Sequence, residues 1–148
     1  MAARFPRLPG WYTRVSDPSL ENPHCLRQRV SWAATVPFAD GAEDLPPTRT
    51  LEHLPPAGIV IAAVQSLDVC RPPPGLLALH PPLSLAAATR MQFPGPRGDE
   101  LPLYRVIGRL AGGYVVDVWV FYGRRHPAVA QRAAAERELA DVRWPARL

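Results

Sequence analysis

Residues 103–123, LYRVIGRLAGGYVVDVWVFYG, constrain the fold more than any other part of this 148-residue chain. The first arm alternates, with Tyr104, Val106 and Leu110 on one face and Arg105, Ile107 and Arg109 on the other, the period-two pattern of a strand. The AGG that follows supplies glycines able to take positive φ, which a tight hairpin turn requires. In the second arm Val116, Val118 and Val120 share one face and Val115, Asp117, Trp119 and Phe121 the other, so only Asp117 interrupts the second apolar face. A strand apolar on both sides must be covered on both sides. It is therefore predicted to lie centrally in an antiparallel sheet, with a helix on one face and loops or a second sheet on the other.

The helix is expected immediately downstream. PAVAQRAAAERELADV combines strong helix formers with Pro127, placed at the favoured first helical position, and Ala128, Ala135, Leu139 and Val142 can form an apolar stripe. The closing RWPARL reads as a short strand or extended tail returning Trp144 to the core. The expected class is thus α+β, an antiparallel β-sheet with a C-terminal helix packed on one face.

Upstream, prolines punctuate short elements. GWYTRV reads as a first strand, and LRQRVSWAATVPF as a second, alternating at Leu26, Gln28, Val30 and Trp32 and broken at Pro37. A short helical turn is expected around Thr50 to Leu54, then a strand from Ile59 to Val64, whose β-branched run suits burial on both faces. Residues 71–82 are predicted to run extended over the surface. LSLAAATRMQF is open between a short helix and a strand, and its bounds, PP before and PGPRGD after, favour the strand. No internal repeat or long linker is visible, and residues 1–148 are expected to form one domain. The 19 prolines and 10 glycines are too few for a disordered low-complexity chain, which would hold roughly 25–30%.

All 17 basic residues are arginine, and the net charge is +4. Such a field admits an anionic ligand or an acidic partner protein. No basic run exceeds two residues and no aromatic residues interleave with them, so nucleic acid is not an expected partner. The longest apolar run, GIVIAAV at 58–64, falls far short of the roughly 20 residues needed to span a bilayer, and the first residues lack a signal-like apolar region. A cytoplasmic protein with no membrane span is the expectation. Cys25 and Cys70 are expected to be separate free thiols.

Few residues suggest chemistry. His24, His53, His80 and His126 lack the spacing of a metal site, Cys70 and His80 lack the context of a nucleophile and base, and no glycine loop has phosphate-cradling order, so no metal, cofactor or catalytic residue is assigned. RGD at Arg97 to Asp99 reads as an exposed turn. Asp117 is a buried acid, a solvent-facing residue at a sheet edge, or the partner of Arg105 or Arg109 across the hairpin. Arg124, Arg125 and His126 precede the helix, where cations oppose its dipole unless an anion offsets them. They are the candidate anion-binding residues, against the alternative that the side chains point into water or pair with Glu or Asp elsewhere. Trp119 and Phe121 are the candidate interface. Their face needs cover from residues 71–82 or from a second copy, so self-association is an expectation.

YVVDVWVFYGRRHPAVAQRAAAERELADVRW, together with RTLEHLPPAGIVIAAV, resembles a group of small uncharacterised domains of high-GC bacteria, often found behind a membrane anchor. Their order of strand, FG turn, Pro-started helix and short final strand is similar to endings in the photosystem-accessory and Mog1-like α/β sandwiches. The resemblance implies a fold without implying a catalytic residue, and it keeps the envelope open as a location, although no anchor precedes Trp11. The functional expectation is a non-catalytic binding or accessory module, with a small enzyme of unrecognised site as the alternative.

Overall fold

A computed structural model of the chain describes residues 1–16, 26–39, 45, 47–68 and 74–147. Six strands form one sheet: β1 Tyr12–Ser16, β2 Leu26–Ala34, β3 Ile59–Asp68, β4 Thr89–Pro94, β5 Glu100–Arg109 and β6 Val115–Tyr122. Their order is β1-β2-β3-β6-β5-β4, and every pairing is antiparallel. Two three-stranded meanders are therefore joined where β3 meets β6. These two central strands are the two whose sequences are apolar on both faces, because only a central strand has both faces covered.

Helix α1, Thr48–Glu52, lies before β3, and helix α2, Val129–Ala140, ends the chain's regular structure. On the α2 side, Ile59, Ile61 and Ala63 of β3 and Val116, Val118 and Val120 of β6 pack with Ala135, Leu139 and Val142. On the other side, Val60, Ala62, Val64 and Phe121 pack with Trp32 and with Leu51 and Leu54 from the α1 region. Fully burying one such side chain contributes roughly 1.5–3 kcal/mol, so a sheet with two dry faces carries the stability of the fold. Trp32 completes its burial by donating its indole N–H to Ser16 Oγ at 3.0 Å.

The expected hairpin is present, with Gly113 at φ +81° in its turn, a conformation side chains other than glycine rarely adopt. Gly123 ends β6 for a different reason. A Cβ there would collide with the backbone carbonyl of Pro55, and its N–H donates to Gly58 O at 3.0 Å.

Three readings are refined by the structure. The helix starts at Val129 with Ala128 as N-cap, so Pro127 stands just before the cap and Ala128 is exposed. Gln131 sets this start: its Oε1 accepts the Ala128 N–H at 3.0 Å, and its Nε2 donates to Pro56 O at 2.9 Å. LSLAAATRMQF divides into a 3₁₀ turn, Leu85–Ala87, and the edge strand β4, because Ser84 Oγ accepts the Ala86 N–H and nucleates the turn. The described part of residues 71–82 does not cover the Trp119 face. It brackets Arg109 instead, with Arg109 donating to Leu77 O and Leu79 donating to Arg109 O, both at 2.8 Å, while Leu79 packs into the α2-side core. The cover over Phe121 comes from the α1 region.

The first residues are also pinned. Ala3 donates its N–H to Gln65 Oε1 and accepts from Ser31 Oγ at 2.7 Å, so side chains of β2 and β3 hold its peptide groups. Arg4 and Arg143 then exchange both backbone hydrogen bonds, at 3.0 and 2.9 Å. Among the described residues, no helix is long and apolar enough to cross a membrane.

Candidate functional site

Strand alternation sends Tyr104 of β5 and Tyr122 of β6 to the face carrying α2. Tyr104 lies opposite Val120, which makes Tyr122 its diagonal neighbour. The two rings meet edge to face, with centroids 5.6 Å apart at 89°, the arrangement aromatic quadrupoles favour. They floor a cleft of about 340 Å³ between α2 and the 3₁₀ turn. Val129, Arg132, Ala133 and Glu136 form its helical wall, a set spaced i, i+3, i+4, i+7 and so on one face of α2. Leu85 and Ala86 form the opposite wall.

Glu136 builds this cleft. Its Oε1 accepts the Leu85 N–H at 2.7 Å and the Ser84 hydroxyl at 3.3 Å, which fastens the turn to the helix. Arg132 forms no ion pair among the described residues. Burial drives the Tyr122 phenol well above its ordinary value; Tyr104 and Glu136 add to the shift, and Arg132 opposes it. Tyr122 is thus a neutral hydroxyl throughout the physiological range, able to donate to an acceptor in the cleft.

Arg124, Arg125 and His126 are all exposed in the connection from β6 to α2. They precede the N-cap, outside the first turn, so the expected conflict with the helix dipole does not arise. The structure places them beside the cleft through Arg90. That guanidinium lies 5.9 Å from the Tyr104 ring centroid and donates to Arg125 O at 3.4 Å. Sequence reasoning missed Arg90, Tyr104, Tyr122 and Arg132 as a group. Helical spacing could have collected the α2 members, but nothing local shows which surface that helical face overlooks.

The two candidate interface residues separate. Phe121 is fully buried within the chain, edge-on to Phe93 at 5.4 Å, which removes it from any surface. Trp119 is half-buried, and the Arg105 guanidinium covers its ring at 5.2 Å from the centroid. Arg105 also grips Asp117 through two hydrogen bonds, of 2.8 and 2.6 Å. Of the readings of Asp117, the cross-hairpin pair is the one observed, with Arg105 as the partner. The RGD tripeptide is the exposed turn expected, and Arg97 donates to Leu54 O at 3.2 Å.

Glu138 is the one strongly perturbed carboxyl among the described residues. It is fully buried on α2, neither oxygen has a hydrogen-bond partner, and burial, with Asp141 adding to it, pushes its pKa up to about 7. It does not line the cleft. No group of three potential metal ligands occurs among the described residues, while His24, Cys25 and Cys70 lie outside them. Comparison with family models, curated proteins and solved structures returns no match to this chain.

Proposed function

We propose that this chain is a non-catalytic binding module and that its ligand seat is the cleft over Tyr104 and Tyr122. The carrying observation is the Arg132 guanidinium, which forms no ion pair among the described residues, beside two phenol rings in a recess whose one carboxylate, Glu136, is already engaged by the Leu85 N–H and the Ser84 hydroxyl. One cation, two hydroxyl donors and apolar walls suit a small organic anion with a flat apolar body, and about 340 Å³ is at the small end of the ligand-pocket range of roughly 300–1,000 Å³. The lining offers donors and contact surface and no nucleophile beside a base, which supports binding over turnover. Arg90, and behind it Arg124, Arg125 and His126, add a positive rim that draws anions toward the mouth.

The test is titration of the ¹⁵N-labelled protein with 2-naphthoate and with its neutral isostere 2-naphthamide. Saturable shifts should centre on Tyr104, Tyr122 and Arg132, naphthoate should bind more tightly, and Arg132→Ala should weaken it roughly tenfold, as loss of a charge-assisted contact predicts. Equal affinity for the two probes, or shifts located elsewhere, would refute the assignment.

A further inference from the structure

The bridge between Arg4 and Arg143 places two cations directly opposite one another. Residues that exchange both bonds of an antiparallel pair stand with Cα atoms roughly 5.5 Å apart and send their side chains to the same side. Like charges in this position are destabilising. Burial confirms their direction. Ala3, Phe5 and Val142 are buried and Trp144 is partly buried against the core, while Arg4 and Arg143 between them are exposed. Neither forms an ion pair among the described residues, and neither does the nearby Arg7. Asp141, the one acid among the described residues that line the neighbouring grooves, is not paired with them either.

Two grooves flank this pinned segment, of about 570 Å³ on the β1 side and about 510 Å³ toward the end of α2, and Arg4, Phe5 and Arg7 line both. The first is also lined by the consecutive residues Thr13, Arg14 and Val15. Among the described residues β1 is an edge strand with no strand beyond it, so alternate residues turn N–H and C=O groups away from the sheet. We propose that these grooves dock an extended acidic segment of a partner protein, paired to the outer edge of β1 with its carboxylates between Arg4, Arg143 and Arg7. Strand addition supplies the main-chain hydrogen bonds, and the guanidiniums supply the choice of side chain. A nucleic-acid strand is the poorer fit, since the aromatics that line the grooves, Phe5 and Trp32, are buried and offer no base a stacking face.

The experiment is fluorescence anisotropy with a labelled ten-residue peptide alternating Glu and Thr, set against hexathymidylate of similar charge. Wild type should bind the peptide saturably, and more weakly as salt rises. The double variant Arg4→Ala with Arg143→Ala should lose roughly tenfold, while melting no lower than wild type because a repulsion has been removed. Arg7→Ala leaves the bridge untouched and should lose roughly threefold. Two further peptides, N-methylated on alternate sets of residues, separate edge pairing from charge alone, since one of them should fail to bind. Arg132→Ala should bind the peptide as wild type does, which keeps this surface distinct from the cleft. Unchanged affinity in the double variant, equal binding of both methylated peptides, or tighter binding of hexathymidylate would each overturn the proposal.

Discussion

Arg105 donates from Nε and Nη2 to the two carboxylate oxygens of Asp117 while its guanidinium covers Trp119, so one side chain neutralises the only acid on the β6 face and shields the indole beside it. Hydrogen bonding to Asp117 raises the guanidinium pKa further above its ordinary value, against the opposing effect of burial. Arg105→Ala should destabilise the fold by about 1–2 kcal/mol, because the pair is partly screened by solvent. Arg105→Lys should recover only part, lacking the planar fork. Urea denaturation of both variants and of Asp117→Asn gives the coupling, and a double-mutant cycle near zero would show that the pair is ornamental.

Val118 is fully buried at the centre of the sheet, facing α2. Val118→Asp should abolish cooperative folding, since an unpaired charge there costs on the order of 4 kcal/mol or more. A soluble variant with a normal melting transition would contradict the central placement of β6.

Gly123 and Gly113 should respond differently to alanine. At Gly123 a methyl group meets the Pro55 carbonyl, part of a backbone that cannot swing aside, and the loss should be about 2–3 kcal/mol. At Gly113 nothing lies near the added carbon, so the loss, about 1 kcal/mol, reflects positive φ alone. Thermal unfolding of the two variants should rank them in that order.

Glu138 makes stability depend on pH. Below about pH 4.5, its ordinary value, folded and unfolded chains both hold the proton and the fold keeps its full stability. Between there and about 7 the unfolded chain gives up the proton first, so stability declines as pH rises, by on the order of 2–3 kcal/mol, and levels off above that window. Glu138→Gln should remove this decline. Denaturant midpoints from pH 4 to 8 for both proteins check it, and parallel curves would show that the carboxyl ionises freely in the folded chain.

Much of the architecture was legible in the chain itself. Strand periodicity, the glycine turn and the doubly apolar β6 are local patterns, and pleat geometry converts them directly into faces, so the sheet and the C-terminal helix could be read from residues 103–142, while the partner of Asp117 was narrowed only to Arg105 or Arg109 among other readings. Strand order was not legible, because the pairing of β3 with β6 joins residues 49 to 63 positions apart and no local pattern records it. Nor was the cover over Phe121, which comes from Leu51 and Leu54 rather than from a second chain. The cleft and the arginine grooves belong wholly to this second category. Tyr104, Tyr122 and Arg132, and likewise Arg4 and Arg143, are unremarkable in their own neighbourhoods and acquire meaning only when long-range hydrogen bonds set them side by side. Local sequence determined which faces must be dry, and tertiary pairing decided which polar groups meet at the surface, where no hydrophobic pattern constrains them in advance.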